Sequence, residues 1–570
     1  MARLRNALLF VFLGCANSAA NNDKRGGLTH YAGTKANGVE IRAAQSWYEQ
    51  NEDETSLETA VAHPSIWSIT VRGVYLYLVF FPMFTAALPA LWNELWREHV
   101  WYRVVCWTLA RGGAAWIKWA QWASTRPDIF PESLCVRLAT LQTAAPAHSF
   151  SHTRREVESM FGAPLDSVFS SFDQVPVASG SIAQVHFAEY ANQPVAVKVR
   201  HPNVAQQISI DFRIMAFMGE LAGKLPVLKF LNLKASVEAF SHTMTGQTFL
   251  DVEGNHLALF NRNFAQWADV GFPNPLVSTE SVLVESFEKG RLVSDFTALD
   301  LSSNGKGSNR GERNGRINPR LPVSVAHFIV TRGEDLYLKM LLADGLMHAD
   351  LHPGNIFVSF DPERLYPRGG ADGAKIVLVD AGMVANLSPS EQHNFIGLLE
   401  CMILGDGAEA ATHVLKFSNQ QTCVDPAVRL AFIEAMRLFF LEECRGLGQS
   451  ISLANVLRGV LKLVREHGVR IDVNYATLVM NALCLDGLAN ALLPSYNVLD
   501  AAAPLLMAHR QWKGVLGRTV LLRVALPLAQ RRKRNHDQAV NRRLAKALFS
   551  QGATPPKPRR YDRLQTDWYV

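Results

Sequence analysis

Five polar residues, each in a distinctive local pattern, are the candidates for chemistry. Lys198 ends the run Val195-Ala196-Val197-Lys198 at the close of a stretch of β-type alternation. Ahead of it lies a hairpin of mostly small residues, Val177-Ala178-Ser179-Gly180-Ser181-Ile182-Ala183-Gln184-Val185. Glu253 falls on a later helical pattern. Asp350 and Asn355 stand five apart in His348-Ala349-Asp350-Leu351-His352-Pro353-Gly354-Asn355, and Asp380 follows a strand-like run as Asp380-Ala381-Gly382. Phosphoryl transfer from ATP needs these parts in this order. A strand-borne lysine meets the nucleotide phosphates and a helix-borne glutamate orients it. A loop aspartate serves the reacting hydroxyl, and an asparagine with a further aspartate holds Mg²⁺. A hairpin of small residues lets backbone N–H groups approach the phosphates.

Singly, each signal is common: a V-A-V-K run most often carries an ordinary lysine at a solvent edge. His348, Asp350 and His352 also have ligand-like spacing, so a metal cluster competes with the catalytic-loop reading. The Pro353-Gly354-Asn355 turn running into a strand favours the loop. It is the ordered set, each member in its own local structure, that is specific.

The elements that must position this set alternate in type. Helical patterns cover Trp101 to about Leu141, β alternation follows over residues 174–200, and helix returns from Val204 to about Phe264. Val282-Leu283-Val284-Glu285-Ser286-Phe287 reads as a strand, as do Asn355–Val358 and Lys375–Val379. Val323–Leu346 and everything after about Ser388 read as helices. Residues 302–320 are rich in Gly, Ser, Asn and Arg without apolar periodicity, the pattern of a disordered surface insert. The expectation is an α+β, two-lobed protein-kinase-like fold with a mostly helical C-lobe.

Composition limits the alternatives. The 570 residues are 48% hydrophobic and 19% charged, which excludes global disorder. The net charge of +6 is uneven: Arg510 to Arg563 holds 15 Lys/Arg against 2 Asp/Glu, leaving 42 basic and 49 acidic residues elsewhere. The body is mildly acidic, so a nucleic-acid partner is disfavoured. The basic end, with Arg531-Arg532-Lys533-Arg534 and Arg542-Arg543, suits a solvated tail or contact with anionic membrane lipids. Seven scattered cysteines without a C-x-x-C favour free thiols over a disulfide framework or a zinc site.

Two apolar stretches bear on location. Arg3 and Arg5 precede the run Ala7–Leu13, and no acid occurs before Asp23, so residues 1–45 read as a targeting segment, mitochondrial or secretory. Gly73–Trp92 is uncharged over a length sufficient to span a bilayer, but Pro82 and Pro89 interrupt it. It fits a membrane-embedded helix or a buried or interfacial helix pair. The division expected is an apolar segment at 60–100, a helical extension at 101–173, an N-lobe at 174–290, a C-lobe at 291–500 and a basic segment at 501–570.

From about Arg111 to Leu493 the chain resembles the UbiB/ADCK family of atypical kinases. Lys118-Trp119-Ala120-Gln121, followed by Ala123-Ser124-Thr125-Arg126-Pro127-Asp128, is similar to the family's K-x-G-Q motif. The small-residue hairpin resembles its Ala-rich replacement of the kinase Gly-rich loop, and Leu485–Pro494 resembles its C-terminal helical motif. As in that family, no A-P-E element follows Asp380. The resemblance implies a K-x-G-Q helical extension covering the nucleotide pocket and containing Lys118 and Gln121. It also implies a Lys198–Glu253 ion pair, a catalytic Asp350, and Asn355 and Asp380 as Mg²⁺ ligands. It further implies an ATP-dependent kinase or ATPase supporting ubiquinone or lipid metabolism at the mitochondrial inner membrane, with a hydrophobic small molecule or lipid-pathway proteins as partners.

Three positions depart from the family pattern. Ala120 replaces the glycine of K-x-G-Q. Gln247-Thr248-Phe249 replaces an E-x-D pair, removing the acidic partner expected for Lys118, for which Asp251 is the nearest substitute. Gly180 stands where alanine is usual, with the added backbone freedom of glycine expected to ease phosphate approach. A nucleotide-binding scaffold without turnover is the alternative function. An aminoglycoside-kinase-type phosphotransferase is disfavoured, because such an enzyme has no use for the Lys118–Asp128 segment.

Overall fold

The computed structural model describes residues 66–90, 92–124, 130–138, 147–224, 244–297, 321–360, 373–418, 425–444, 451–494 and 496–511, with a few short pieces between. Apart from the two-residue strand Thr29–His30, the targeting segment lies outside the described residues, as do the 302–320 insert, Thr125–Asp128 and the basic residues from 512 onward.

The second apolar stretch lies in one helix, α1 (Ile66–Ala90), running through both prolines. The Thr85 hydroxyl turns back to the carbonyls of Phe81 and Pro82 beside the first proline. Leu76, Phe80, Met83, Ala87 and Ala90 recur at helical spacing and are buried. They face α2 (Tyr102–Gly112) and α3 (Ala114–Ser124), where Phe80 lies 4.5 Å from Trp116 between ring centroids. Trp101 donates from Nε1 to the Met83 carbonyl at 3.1 Å. The opposite face, with Trp67, Val71, Val74, Tyr77, Leu78, Phe81 and Leu88, is exposed. A helix pair is therefore not what the stretch forms. A single helix leans one face on the bundle and leaves the other uncovered.

Gly112 and Gly113 make the corner between α2 and α3. A Cβ on Gly112 would sit 2.7 Å from the Trp116 ring, and Gly113 has φ +101°, so neither position accepts a side chain without strain. Arg72 of α1 binds this corner through the Gly112 carbonyl and forks onto Asp211, with Nε–Oδ1 at 2.8 Å and Nη2–Oδ2 at 2.7 Å. Asp211 belongs to a long helix, Val204–Gly223, which follows the lysine strand and packs its apolar face into the same core. The helical extension is thus completed by a segment the sequence places in the N-lobe.

The N-lobe sheet is antiparallel, in the order Thr29–His30, Pro275–Ser278, Val282–Ser286, Gln193–Arg200, Ala183–Tyr190, Phe169–Phe172, with Ala178–Ser179 pairing Ala183–Tyr190. Ala191 and Asn192 have φ +50° and +60°, the two left-handed residues of a tight hairpin matched to the strand twist. Val195, Val197 and Val199 pack inward on Val157, Met160 and Phe169, so alternation sends Lys198 to the other face. The N-lobe therefore starts earlier than residue 174: helix Phe150–Phe161 and strand Phe169–Phe172 share its core.

In the C-lobe, helices Leu250–Asn263, Val323–Lys339, Pro389–Leu404 and Val473–Leu492 enclose one apolar core. The second of these runs on into a π-helical turn, Met340–Asp344, which Gly345, at φ +65°, ends before strand Leu346–His348. Val473–Leu492 is long and apolar enough to cross a membrane, but Leu478, Val479 and Ala482 are core residues and Asn481 donates to the His348 carbonyl at 2.7 Å. It is a core helix of the lobe.

Because Asp211 is buried, losing Arg72 leaves a desolvated carboxylate without its partner. Arg72→Met should lower stability to urea by about 3 kcal/mol, and the paired Arg72→Met/Asp211→Leu change should recover most of that. Equal stability for Arg72→Met and wild type would contradict the bridge's role.

Candidate active site

Lys198, projecting from the cleft face of its strand, lies between two carboxylates. Its Nζ is 2.6 Å from Glu253 Oε1 and 3.1 Å from Glu285 Oε1. All three side chains are buried or nearly so. Burial alone would pull the lysine pKa down, but the field of Glu253, Glu285 and Asp380 outweighs it and raises it. Lys198 is a permanent cation. The glutamates respond in the opposite sense: burial, together with the neighbouring carboxylates, raises both despite the lysine.

Glu285 was not a candidate from the sequence, although a signal existed. An acid inside the buried run Val282-Leu283-Val284-Glu285 must find a cation. Among the described residues its second oxygen, Oε2, has no hydrogen-bond partner.

Glu253 sits in the first turn of helix Leu250–Asn263. One turn on, His256 donates from Nδ1 to the Ala381 carbonyl at 2.9 Å, and burial lowers its pKa to about 4. The same helix thus holds both the lysine's partner and the Asp380-Ala381-Gly382 turn. Asp380 adopts φ +60°, rare outside glycine, with its Oδ1 accepting a long 3.4 Å bond from Gly382 N–H. Its carboxylate opens to solvent in the cleft while protein surrounds it elsewhere. That desolvation would raise its pKa, but Lys198, Lys118 and His348 hold it below the usual carboxylate range.

Asp350 and Asn355 come together as a unit. The Asn355 amide nitrogen donates to both the Asp350 carbonyl and its Oδ2, each at 3.1 Å, which leaves the amide oxygen as the atom Asn355 has to offer elsewhere. The loop is tied to the aspartate turn by Ala349 N–H to the Met383 carbonyl at 2.9 Å and Val379 N–H to the Asn355 carbonyl at 3.0 Å. His348 and His352 each turn Nδ1 to a backbone N–H, of Asp350 at 3.3 Å and Gly354 at 3.0 Å. They shape the turn, and among the described residues no cluster of three or more His, Cys, Asp or Glu could hold a metal.

The hairpin is held by Val177 N–H to the Val185 carbonyl at 2.8 Å and Gly180 N–H to the Ala183 carbonyl at 2.9 Å. Ala178 and Ser179 pair with Val185 and Gln184, Ser181 is buried, and Ile182 packs against the core of the extension. Gly180 does not use the freedom of glycine. Its φ is not in the left-handed region, and a Cβ would meet only the Ala183 carbonyl at 3.5 Å, an ordinary contact. Alanine would fit, so the expected conformational advantage is absent.

On the extension, Lys118 acts electrostatically on Asp380, while Gln121 donates from Nε2 to the Leu141 carbonyl at 3.2 Å. Ala120 is fully buried, consistent with a site that admits only a small side chain. Asp251 is not the substitute partner for Lys118: the cation acting on it is Arg200, which also donates to the Thr248 carbonyl at 2.7 Å. Where an E-x-D pair would stand, Thr248 is a backbone anchor, and the charge of Lys118 acts on the carboxylate of the aspartate turn instead.

A lysine clamped by a helix glutamate, an Asp–Asn loop and a cleft aspartate, between a β-rich lobe and a helical lobe, define a protein-kinase-like fold. Comparison with known proteins places it more closely. Residues 140–414 match the ABC1 atypical kinase-like domain. The probable serine/threonine-protein kinase abkC of Dictyostelium discoideum is 31% identical, over 72% of this chain and 65% of its own length. A mitochondrial ABC1 family protein of Schizosaccharomyces pombe is 27% identical, over 80% of this chain and 74% of its own. The probable protein kinase UbiB of Histophilus somni is 29% identical, over 69% and 68%. Over residues 140–414 the chain carries an ABC1 atypical kinase-like domain, and it is similar to the ABC1 and UbiB kinases across more than that span. The chain spans just under two thirds of the length of abkC.

The crowding of carboxylates around Lys198 has a measurable sign. A carboxyl whose pKa is raised by folding is ionised at a cost as pH climbs from its unfolded value near 4.3 through the raised one. Glu285→Gln removes that cost and leaves Lys198 its bond to Glu253. The variant should gain thermal stability over wild type by more at pH 8 than at pH 5. An equal difference at both pH values would show that the crowding is not felt.

Proposed function

We propose that the interlobe cleft binds Mg–ATP and that the chain is an atypical kinase-like ATPase, membrane-associated in mitochondria, supporting ubiquinone or lipid metabolism. The observation that carries the reading is the Lys198–Glu253 ion pair directed into a cleft that also contains Asp380. Lys198 would meet nucleotide phosphates as a fixed charge, and the 177–185 hairpin would supply backbone N–H groups to them. Asp350 would accept the proton of an attacking hydroxyl or water, with Asn355 holding its carboxylate in place.

The residues fit a magnesium ion. Asp380 is kept ionised at the cleft, and the Asn355 amide oxygen is the free end of a group whose nitrogen is engaged, together a hard-oxygen donor set. Bound there, the ion would neutralise charge on the phosphates. Mitochondrial placement is supported by the arginine-bearing, acid-poor N-terminus and by the mitochondrial designation of the fission-yeast relative. Membrane association is supported by the uncovered apolar face of α1 and by the basic C-terminal segment.

One experiment separates turnover from a scaffold. Purified protein is assayed for Mg–ATP binding and hydrolysis with and without cardiolipin-containing vesicles. Asp380→Asn should abolish Mg–ATP binding, and Asp350→Ala should retain binding but lose hydrolysis. Hydrolysis and sedimentation with vesicles should rise together in the wild type. Unchanged Mg–ATP affinity in Asp380→Asn would contradict the site, and binding without turnover in the wild type would leave the scaffold.

A further inference from the structure

Behind the hairpin, on the side away from Lys198, three histidines form a continuous chain of hydrogen bonds with two other polar side chains. His201, immediately after the lysine strand, takes hold of the hairpin twice: its backbone N–H donates to the Ile182 carbonyl at 2.8 Å, and its Nε2 lies 2.9 Å from the Gly180 carbonyl. Its Nδ1 is 2.7 Å from Nδ1 of His148, whose Nε2 is 3.0 Å from the Thr153 hydroxyl. Gln184 Nε2 reaches Thr153 at 3.2 Å and His186 Nε2 at 3.0 Å, and His186 Nδ1 ends the chain 2.8 Å from the Asp173 carbonyl. The Gln184 side-chain oxygen accepts from His148 N–H at 2.9 Å. Thr153, Gln184 and His186 are fully buried.

The two ends are backbone carbonyls, which only accept, and for neutral rings, the form burial favours, this determines every proton between them. His201 must carry its proton on Nε2 to donate to Gly180, so its Nδ1 accepts. His148 must then donate from Nδ1, so its Nε2 accepts from Thr153. Thr153 accepts in turn from Gln184. His186 must carry its proton on Nδ1 to reach Asp173, leaving Nε2 to accept from the same amide. All three rings are neutral, one tautomer each. Burial agrees, lowering all three, with His148 brought to about 4 by burial and by the neighbouring His201, His152 and His186.

We propose that His201 is a positioning residue for the phosphate-binding hairpin, locked in its Nε2–H tautomer by the His148–Thr153–Gln184–His186 relay so that the backbone on both sides of the hairpin tip is fixed before nucleotide arrives. The inference rests on the Mg–ATP reading of the cleft for its consequence, but not for the geometry. His201 points away from the nucleotide side and touches the hairpin only through carbonyls, so its effect passes through the backbone.

Three readouts test it on the full chain. Selective ¹⁵N labelling of histidine in the wild type should show His201 as the Nε2–H tautomer and His148 as Nδ1–H. Amide hydrogen exchange of residues 178–183 without nucleotide should quicken about tenfold in His201→Leu, as expected for one lost hydrogen bond. It should stay within about threefold of wild type in His201→Gln, whose amide keeps a donor for Gly180. Mg–ATP affinity should follow the same order. A wild-type His201 in the Nδ1–H form would overturn the proposal even if His201→Leu failed to fold, as would unchanged hairpin exchange in a folded His201→Leu. A wild type that binds no Mg–ATP, yet shows the expected tautomers and exchange, would refute the nucleotide reading and leave the positioning role standing.

Discussion

A single buried cation organises this molecule. Lys198 is removed from water with two carboxylates against it and a third within its field. Isolated, a charge in that position would be too costly to keep, so each partner must be in place when the protein folds. The requirement reaches outward. Strand alternation must turn Lys198 away from the valine core, helix Leu250–Asn263 must present Glu253 at its first turn, and strand Val282–Ser286 must bring Glu285 beside it. One lysine fixes the relation of three separate elements.

The same interaction joins the lobes. Helix Leu250–Asn263 contributes Leu257 and Phe260 to the C-lobe core while its Glu253 engages the N-lobe strand, and His256 grips the Ala381 carbonyl. Lys198 and Lys118 both act on Asp380, so the extension contributes charge to the cleft as well as cover. Ile182 at the hairpin tip and Met383 beside the aspartate turn pack against the extension core. The extension therefore touches both walls of the cleft, and its own rigidity, held by the Arg72–Asp211 fork, becomes a condition of the site.

Local signals were the ones legible in the sequence. Lys198, Asp350, Asn355 and Asp380 stand at strand ends or in turns whose neighbours announce them, and their order separated a kinase-like site from coincidence. Glu285 shows locally only as an acid in an apolar run, and His256 and His201 not at all, because what each does is decided by another segment of the chain: residue 198, residue 381 and residue 180. The strand Phe169–Phe172 has only four residues, too few for alternation to show, and so the start of the N-lobe is not legible in the sequence. The conformation of Gly180 is not legible either, because residue type alone does not reveal φ. The Asp251 expectation failed for a similar reason: helical phase turned it toward Arg200.

The central claim is that Lys198, oriented by Glu253, is the cation that meets the nucleotide. Its most direct measurement is a calorimetric double-mutant cycle of Mg–ATP binding with Lys198→Met and Glu253→Gln. Each single change should weaken binding by about tenfold or more, and the double variant should bind little worse than Lys198→Met alone, because the two residues act as one unit. Wild-type affinity in Lys198→Met, or losses that simply multiply in the double variant, would contradict it.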